Sequence, residues 1–215
     1  MSGIIVVSAR VSEVLLPGLR SETEATMRTA LLLSASLVLG GAIAASQATA
    51  SVIVLGSGLA QSCYKAAEVG RGSDTRDCDR ALEEPMVNHD RAATYINRSV
   101  LRLRRNDAQG ALADCETSIR INSQLGEAFV NKGAALITLG RPQEAIESLN
   151  HGIALGATKL HYAYYDRAMA REDVGDVQGA YQDYKSALAI EPGFEPAVEQ
   201  LRRFRVVPKG AAGSS

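Results

Sequence analysis

The chain repeats itself. Segments 107–119, 141–153 and 176–188 align without gaps, and their internal alanines, Ala111, Ala145 and Ala180, recur at spacings of 34 and 35 residues. Upstream of each lies a second stretch of helical character, opening at Ala93, Ala128 and Ala163. A fixed period of this size constrains the fold strongly. Each unit is a supersecondary element too small to bury its own apolar face, so stability must come from stacking on its neighbours.

In phase with the alanines, five positions keep their character across the three copies. Tyr95, Phe129 and Tyr164 are large, whereas Ser99, Gly133 and Ala168 are small. After the alanines come Cys115, Leu149 and Tyr184, then the small Ser118, Gly152 and Ala187. The set resembles the tetratricopeptide repeat, in which these are positions 4, 8, 20, 24 and 27 of a helix–turn–helix unit. Small residues at 8 and 20 let two helix backbones approach where they cross, and large residues at 4 and 24 fill the space beside that contact. The family's proline at position 32 is present only as Pro192; Ser123 and Ala157 replace it in the other copies.

The resemblance implies an all-α fold, a right-handed superhelix of antiparallel helix hairpins. Three repeats are expected, at 92–125, 126–159 and 161–194. Running the frame backwards gives a degenerate hairpin over 58–91, with helices near 59–69 and 74–84 and Asp74 where alanine belongs. A capping helix over 195–205 and a frayed tail over 206–215 are expected after Pro192 and Pro196.

The N-terminal part reads as an address. No charged residue stands between Arg28 and Lys65. Met27 and Arg28 are followed by an apolar run of about ten residues, then by small and polar residues ending in Ala48-Thr49-Ala50. These are the parts of a secretory signal peptide, expected over 27–50 with cleavage after Ala50, a linker over 51–57 and a periplasmic or secreted product. Residues 1–26 are expected to be an over-extended start or an extension. The alternative is an uncleaved segment that tethers the chain to a membrane and faces the same compartment. Gly40, Gly41, Ser46, Gln47 and Thr49 dilute its second half below a continuous apolar span.

Gly56 and Gly58 begin a dinucleotide-type glycine turn. Gln61 stands where its last Gly or Ala should be, and Asp77 lies in a helical stretch instead of ending a second strand. A nucleotide-cofactor enzyme is therefore the distant alternative, and the expectation is a non-enzyme with no cofactor. The three cysteines lack a close Cys-x2-4-Cys pair, so no metal site is expected. His89, His151 and His161 are scattered without a nucleophile partner. The run Arg102, Arg104, Arg105 is read as favouring the C-terminal dipole of its own helix. A net charge of −1 argues against nucleic acid as a partner. Cys63 and Cys78 fall on the two helices of the degenerate hairpin and are candidates for a disulfide in an oxidising compartment. Closing a loop of about 15 residues contributes roughly 3 kcal/mol in the chain-entropy model.

The resemblance also places a partner site. First helices of successive repeats line a concave groove, with positions 2, 5, 9 and 12 turned toward it. These are Ala93, Ile96, Val100 and Leu103; Glu127, Val130, Ala134 and Ile137; and Tyr162, Tyr165, Met169 and Glu172. Such a groove is apolar and suits a helical or extended apolar segment of a protein. Tyr162 and Tyr165 are the strongest binding candidates, because Tyr offers large contact area at low entropic cost. Packing against the next repeat or the cap is the alternative role for both. One subtype of the family grips chaperone C-terminal carboxylates with Lys, Asn and Arg. Ile96 and Val100 occupy two of those places and only Asn131 matches, so that subtype is not expected here.

Overall fold

Helix boundaries follow local chemistry. The computed structural model describes residues 3–7, 50–54, 58–70 and 72–208, all within one compact unit. Residues 8–49 lie outside the described residues, and with them most of the expected signal peptide and extension. Among the described residues there are nine helices. They are α1 (Leu59–Glu68), α2 (Arg76–Glu83), α3 (Asn88–Arg104), α4 (Ala108–Ile121), α5 (Gly126–Thr138), α6 (Pro142–Ala154), α7 (Leu160–Asp173), α8 (Val177–Ile190) and α9 (Glu195–Leu201). None is long and apolar enough to cross a membrane.

Helices α4 and α8 start in the same way. Asp107 and Asp176 accept hydrogen bonds from the backbone N–H of Gly110 and Gly179, each at 2.9 Å, which satisfies an orphan donor of the first turn. Glycine three residues on lets the carboxylate sit close over the N–H, where a Cβ would make the Asp side chain shift. Helix α6 starts instead with Pro142, whose missing N–H costs nothing in the first turn. Asn106 follows α3 with φ 63°, a left-handed stop that glycine supplies at the equivalent Gly140 and Gly175.

Hairpins α3–α4, α5–α6 and α7–α8 stack in chain order, giving an all-α helical-repeat superhelix. Ala111, Ala145 and Ala180 are fully buried, as are Ser99, Ala168, Cys115, Leu149 and Tyr184. The spacing leaves no slack. A Cβ on Gly133 would lie 2.5 Å from Leu149 Cγ, and one on Gly152 would lie 2.7 Å from Val130 Cγ2. Positions 8 and 24 therefore touch within a hairpin.

The first hairpin is shorter than its expected 59–69 and 74–84. Asp74, standing where alanine belongs, is outside α2 and pairs with Arg76 at the surface. The sulfurs of Cys63 and Cys78 are bonded at 2.12 Å across a Cα separation of 4.9 Å, fully buried against Ala67, Val100 and Leu101. Cys115 is a buried free thiol, and burial pushes its pKa up to about 12. Thiol titration is expected to find no reactive group in the native oxidised protein, one after unfolding without reductant, and three after unfolding with it. A native thiol that reacts at neutral pH would contradict this burial.

The arginine run acts beyond its own helix. Arg104 donates to the carbonyls of Ala66 and Ala67, closing the last turn of α1. Arg102 turns to Asp114 and Arg105 to Asp107.

The C-terminal end differs from the local reading. Helix α9 stops at Leu201, and Phe204–Pro208 forms strand β2 where the end of the helix and the start of a tail are expected. Its partner is strand β1, Gly3–Val7, paired antiparallel with Gly3 opposite Pro208 and Val7 opposite Phe204. Aromatic and β-branched residues such as Phe204, Val206 and Val207 suit extended chain. The strand that pairs with them comes from the opposite end of the sequence.

Candidate functional site: the concave groove

Positions 6 of the first two repeats are Asn97 and Asn131, on α3 and α5, and both are fully buried. Asn97 holds one residue by its whole backbone. The Val52 N–H donates to Asn97 Oδ1 at 2.9 Å, and Asn97 Nδ2 donates to the Val52 carbonyl at 2.9 Å. Asn131 Nδ2 donates to the Ala50 carbonyl at 3.3 Å and to Ser99 Oγ at 3.2 Å. A side-chain amide matches a peptide unit donor for acceptor, so it can hold extended chain without reference to side chains. Residues 51–54, expected as linker, thus lie along the first helices with Ala50. Ala50 packs with Leu103, Val130, Ala134 and Ile137, while Val54 packs with Ala60, Ala81 and Ala93.

The expected groove residues divide into three settings. Leu103, Val130, Ile137 and Met169 gather in the cluster that contains Ala50. Ile96 is fully buried, and Val100 packs with the paired cysteines of the first hairpin. Glu127 is buried and accepts from the Thr158 N–H at 3.0 Å. At the far end Tyr162 lies edge-on to Phe194, with ring centroids 5.3 Å apart. Tyr165 meets Phe194 at 5.3 Å and Tyr184 at 5.6 Å. Both tyrosines are half-buried, and burial raises the Tyr165 pKa. His161 stacks beside Tyr162 and Phe194, and burial lowers its pKa.

Beside the 50–54 segment is a cleft of about 570 Å³ lined by Ser51, Val52, Ile53, Tyr64, Glu68, His89, Glu127, Thr158 and Lys159. The surface it exposes is mostly apolar. Among the described residues no group of three or more His, Cys, Asp and Glu is arranged to hold a metal ion. Gly58 has φ 73° and precedes α1, and α2 follows instead of the second strand that a dinucleotide turn requires.

Asn97 and Asn131 are the residues that reading positions 2, 5, 9 and 12 passes over. Their signal is visible in the chain: an amide recurs after 34 residues, next to Ile96 and Val130, with buried Asp166 at the same place in the third repeat. A buried amide on an apolar face needs a partner. Here the partner is main chain, which leaves no side-chain pattern to search for.

The tetratricopeptide repeat family model matches residues 126–155. Several solved structures are similar over longer stretches. The Arabidopsis OM64 TPR domain is 21% identical, over 54% of this chain and 96% of that domain, with a TM-score of 0.52. A crystal structure of MamA is 17% identical, over 69% of this chain and 94% of its own, with a TM-score of 0.53. The second TPR domain of human RPAP3, in complex with an HSP70 peptide, is 22% identical, over 54% of this chain and 96% of that one, with a TM-score of 0.50. No curated protein matches the chain. The match to the tetratricopeptide repeat model is confined to residues 126–155, and the solved structures share the fold of stacked helical hairpins.

Proposed function

We propose that the chain is an exported, non-enzymatic interaction module or scaffold, whose concave groove binds an extended or helical apolar segment of another protein. The observation that carries this reading is the hold of Asn97 on both backbone groups of Val52. A surface that takes extended main chain through a fixed amide, with apolar neighbours for alternate side chains, has the chemistry of peptide recognition. The RPAP3 domain in complex with an HSP70 peptide supports a peptide as the class of partner. Export through the 27–50 segment with cleavage after Ala50, and oxidation of Cys63 and Cys78 in that compartment, complete the proposal; that cleavage parts Phe204–Pro208 from Gly3–Val7 and the Ala50 contact from the groove, leaving the Asn97 bonds to Val52.

The test is a crosslinked pull-down from native cells, read by mass spectrometry for the partner and for the bait's N-terminal peptide. The expected bait begins at Ser51 and enriches one envelope protein. The enrichment should fall at least ten-fold with Asn97→Ala, about 1.4 kcal/mol at the 25 °C conversion. A bait that retains residues before 51 would replace the cleaved product with the membrane-tethered one. Capture indifferent to Asn97 would overturn the groove as the site.

A further inference from the structure

The 50–54 segment sits in the groove as a bound peptide would. Ala50 is 1% exposed and Val54 3%, Ser51 and Val52 are both half-buried, and Ile53 turns outward at 61%. Buried residues at 50 and 54 with an exposed neighbour at 53 fit extended chain that turns one face inward. Its polar contacts to the first helices are all made by main chain, through the two Asn97 bonds to Val52 and the Asn131 bond to the Ala50 carbonyl. The second rung is half made: buried Asn131 Oδ1 finds no donor among the described residues. The groove therefore has spare capacity for extended backbone.

We propose that residues 50–54 of the full, uncleaved chain are an internal occupant of the groove, of which residues 51–54 with the two Asn97 bonds remain after cleavage, and that the partner segment displacing them carries the same alternation. That alternation is a small residue followed by β-branched residues two and four positions later, in extended conformation. The proposal rests on the reading of this groove as a protein-binding surface. The small residue is set by the close packing of Ala50 against Val130 and Ala134. The β-branched residues are set by one cluster, Ala60, Ala81 and Ala93, which buries Val54 and against which Val52 packs in part. A tethered occupant competes at an effective concentration on the order of millimolar. An external segment making the same contacts is thus held off until the internal one lets go, which makes the groove self-gated.

The experiment titrates a fluorescent peptide, Ala-Ser-Val-Ile-Val-Leu, with the full chain and follows anisotropy. Val52→Pro deletes the N–H that Asn97 Oδ1 accepts and loosens the internal occupant while sparing the groove. The Val52→Pro chain should bind the peptide at least ten-fold more tightly than the unaltered chain. Adding Asn97→Ala should remove that gain, and a peptide with Asp at its third position should not bind. Equal affinity for the two chains, or a gain that survives Asn97→Ala, overturns the proposal.

Hydrogen exchange on the unsubstituted background gives an independent arm. Asn97→Ala should speed exchange of the Val52 amide at least ten-fold, with α5 to α8 unchanged; no change there overturns the internal occupant. A concentration-dependent dimer with the segment exchanged between copies overturns it as well. If the Val52→Pro chain rejects this peptide but captures other extended peptides from a positional library through Asn97, the sequence preference falls and the binding surface stands. If it captures none, both fall.

Discussion

Asp114→Ala should lower the stability of the fold by about 3–5 kcal/mol, the cost of breaking a buried charge pair from one side. The Asp114 side chain is 4% exposed. Its two oxygens accept from Arg98 Nε at 2.9 Å and Nη2 at 2.7 Å, and Arg102 Nη1 approaches at 3.0 Å. The third arm of Arg98 donates to Asp79 on α2 at 2.8 Å, and its guanidinium lies over the Tyr95 ring. Burial opposes the charge of Arg98, but hydrogen bonds and charge from Asp114 and Asp79 outweigh it and raise its pKa. One carboxylate thus anchors an arginine that joins α2, α3 and α4. Its removal strips Arg98 of its buried fork, leaving it Asp79, and leaves Arg102 with Asp107 and the Gly110 carbonyl.

The third repeat has the same device. Arg167 forks onto Asp183 at 2.8 and 2.7 Å and reaches Asn150 on α6, and Arg171 meets Asp183 at 2.8 Å. The middle repeat carries Lys132, Leu136 and Ser148 at those places and does without it. Thermal melting checks the prediction. A fall on the order of 10 °C is expected for Asp114→Ala, at about 2–4 °C per kcal/mol for a chain of this size. Asp114→Asn, which keeps acceptor capacity, should fall less. A shift under about 2 °C for Asp114→Ala would show that the network contributes no net stability, as exposed pairs often do.

Tyr184→Ala is expected to cost about 3–5 kcal/mol, chiefly by opening a cavity at the C-terminal end. Tyr184 is fully buried on α8 and packs with Ala168, Ala180, Ala187 and Ala197, with Tyr165 and Phe204 as ring neighbours. Its hydroxyl donates to Glu172 Oε1 at 2.6 Å, and Glu172 Oε2 accepts from Arg203 at 2.6 Å. Tyr184→Phe keeps the ring and removes one hydrogen bond to a carboxylate, so its cost should be about 1.5–3 kcal/mol, below that of Tyr184→Ala. The two variants separate packing from hydrogen bonding by denaturant unfolding.

The same residue gives a pH dependence. Burial first, and then the hydrogen bond to Glu172, raise the folded Tyr184 pKa above its ordinary value of 10.0. A raised folded pKa gives stability that is complete below the unfolded value and is lost as pH rises. The protein should therefore weaken progressively from about pH 10 upward, and Tyr184→Phe should flatten that part of the profile. Alkaline unfolding curves that coincide for the two chains would contradict this.

For Tyr165 position left two roles open, the groove and packing against the next repeat or the cap. Its register places it toward the groove, while its ring lies against Tyr184 and Phe194 of the following elements. A side chain at the end of a solenoid has no further repeat beyond it, so the capping elements decide what it touches. Leu103, Val130 and Ile137 are interior to the array, where each neighbour repeats the last, and they gather where the periodicity puts them. Cys63 and Cys78 also meet through a local rule, since a hairpin brings its two arms together.

By itself, the sequence determined the parts of this protein that depend on a repeated local rule. The period of 34 and 35 residues, the small residues at helix crossings and the order of the hairpins follow from side-chain volumes close along the chain. Only the tertiary structure decided the rest. Val52 meets Asn97 across 45 residues, Arg98 ties Asp79 to Asp114, and Gly3–Val7 pairs with Phe204–Pro208. Two of these three contacts depend on main-chain groups, and every non-proline residue offers the same N–H and C=O. Which residue uses them is set by what the finished superhelix leaves open beside it.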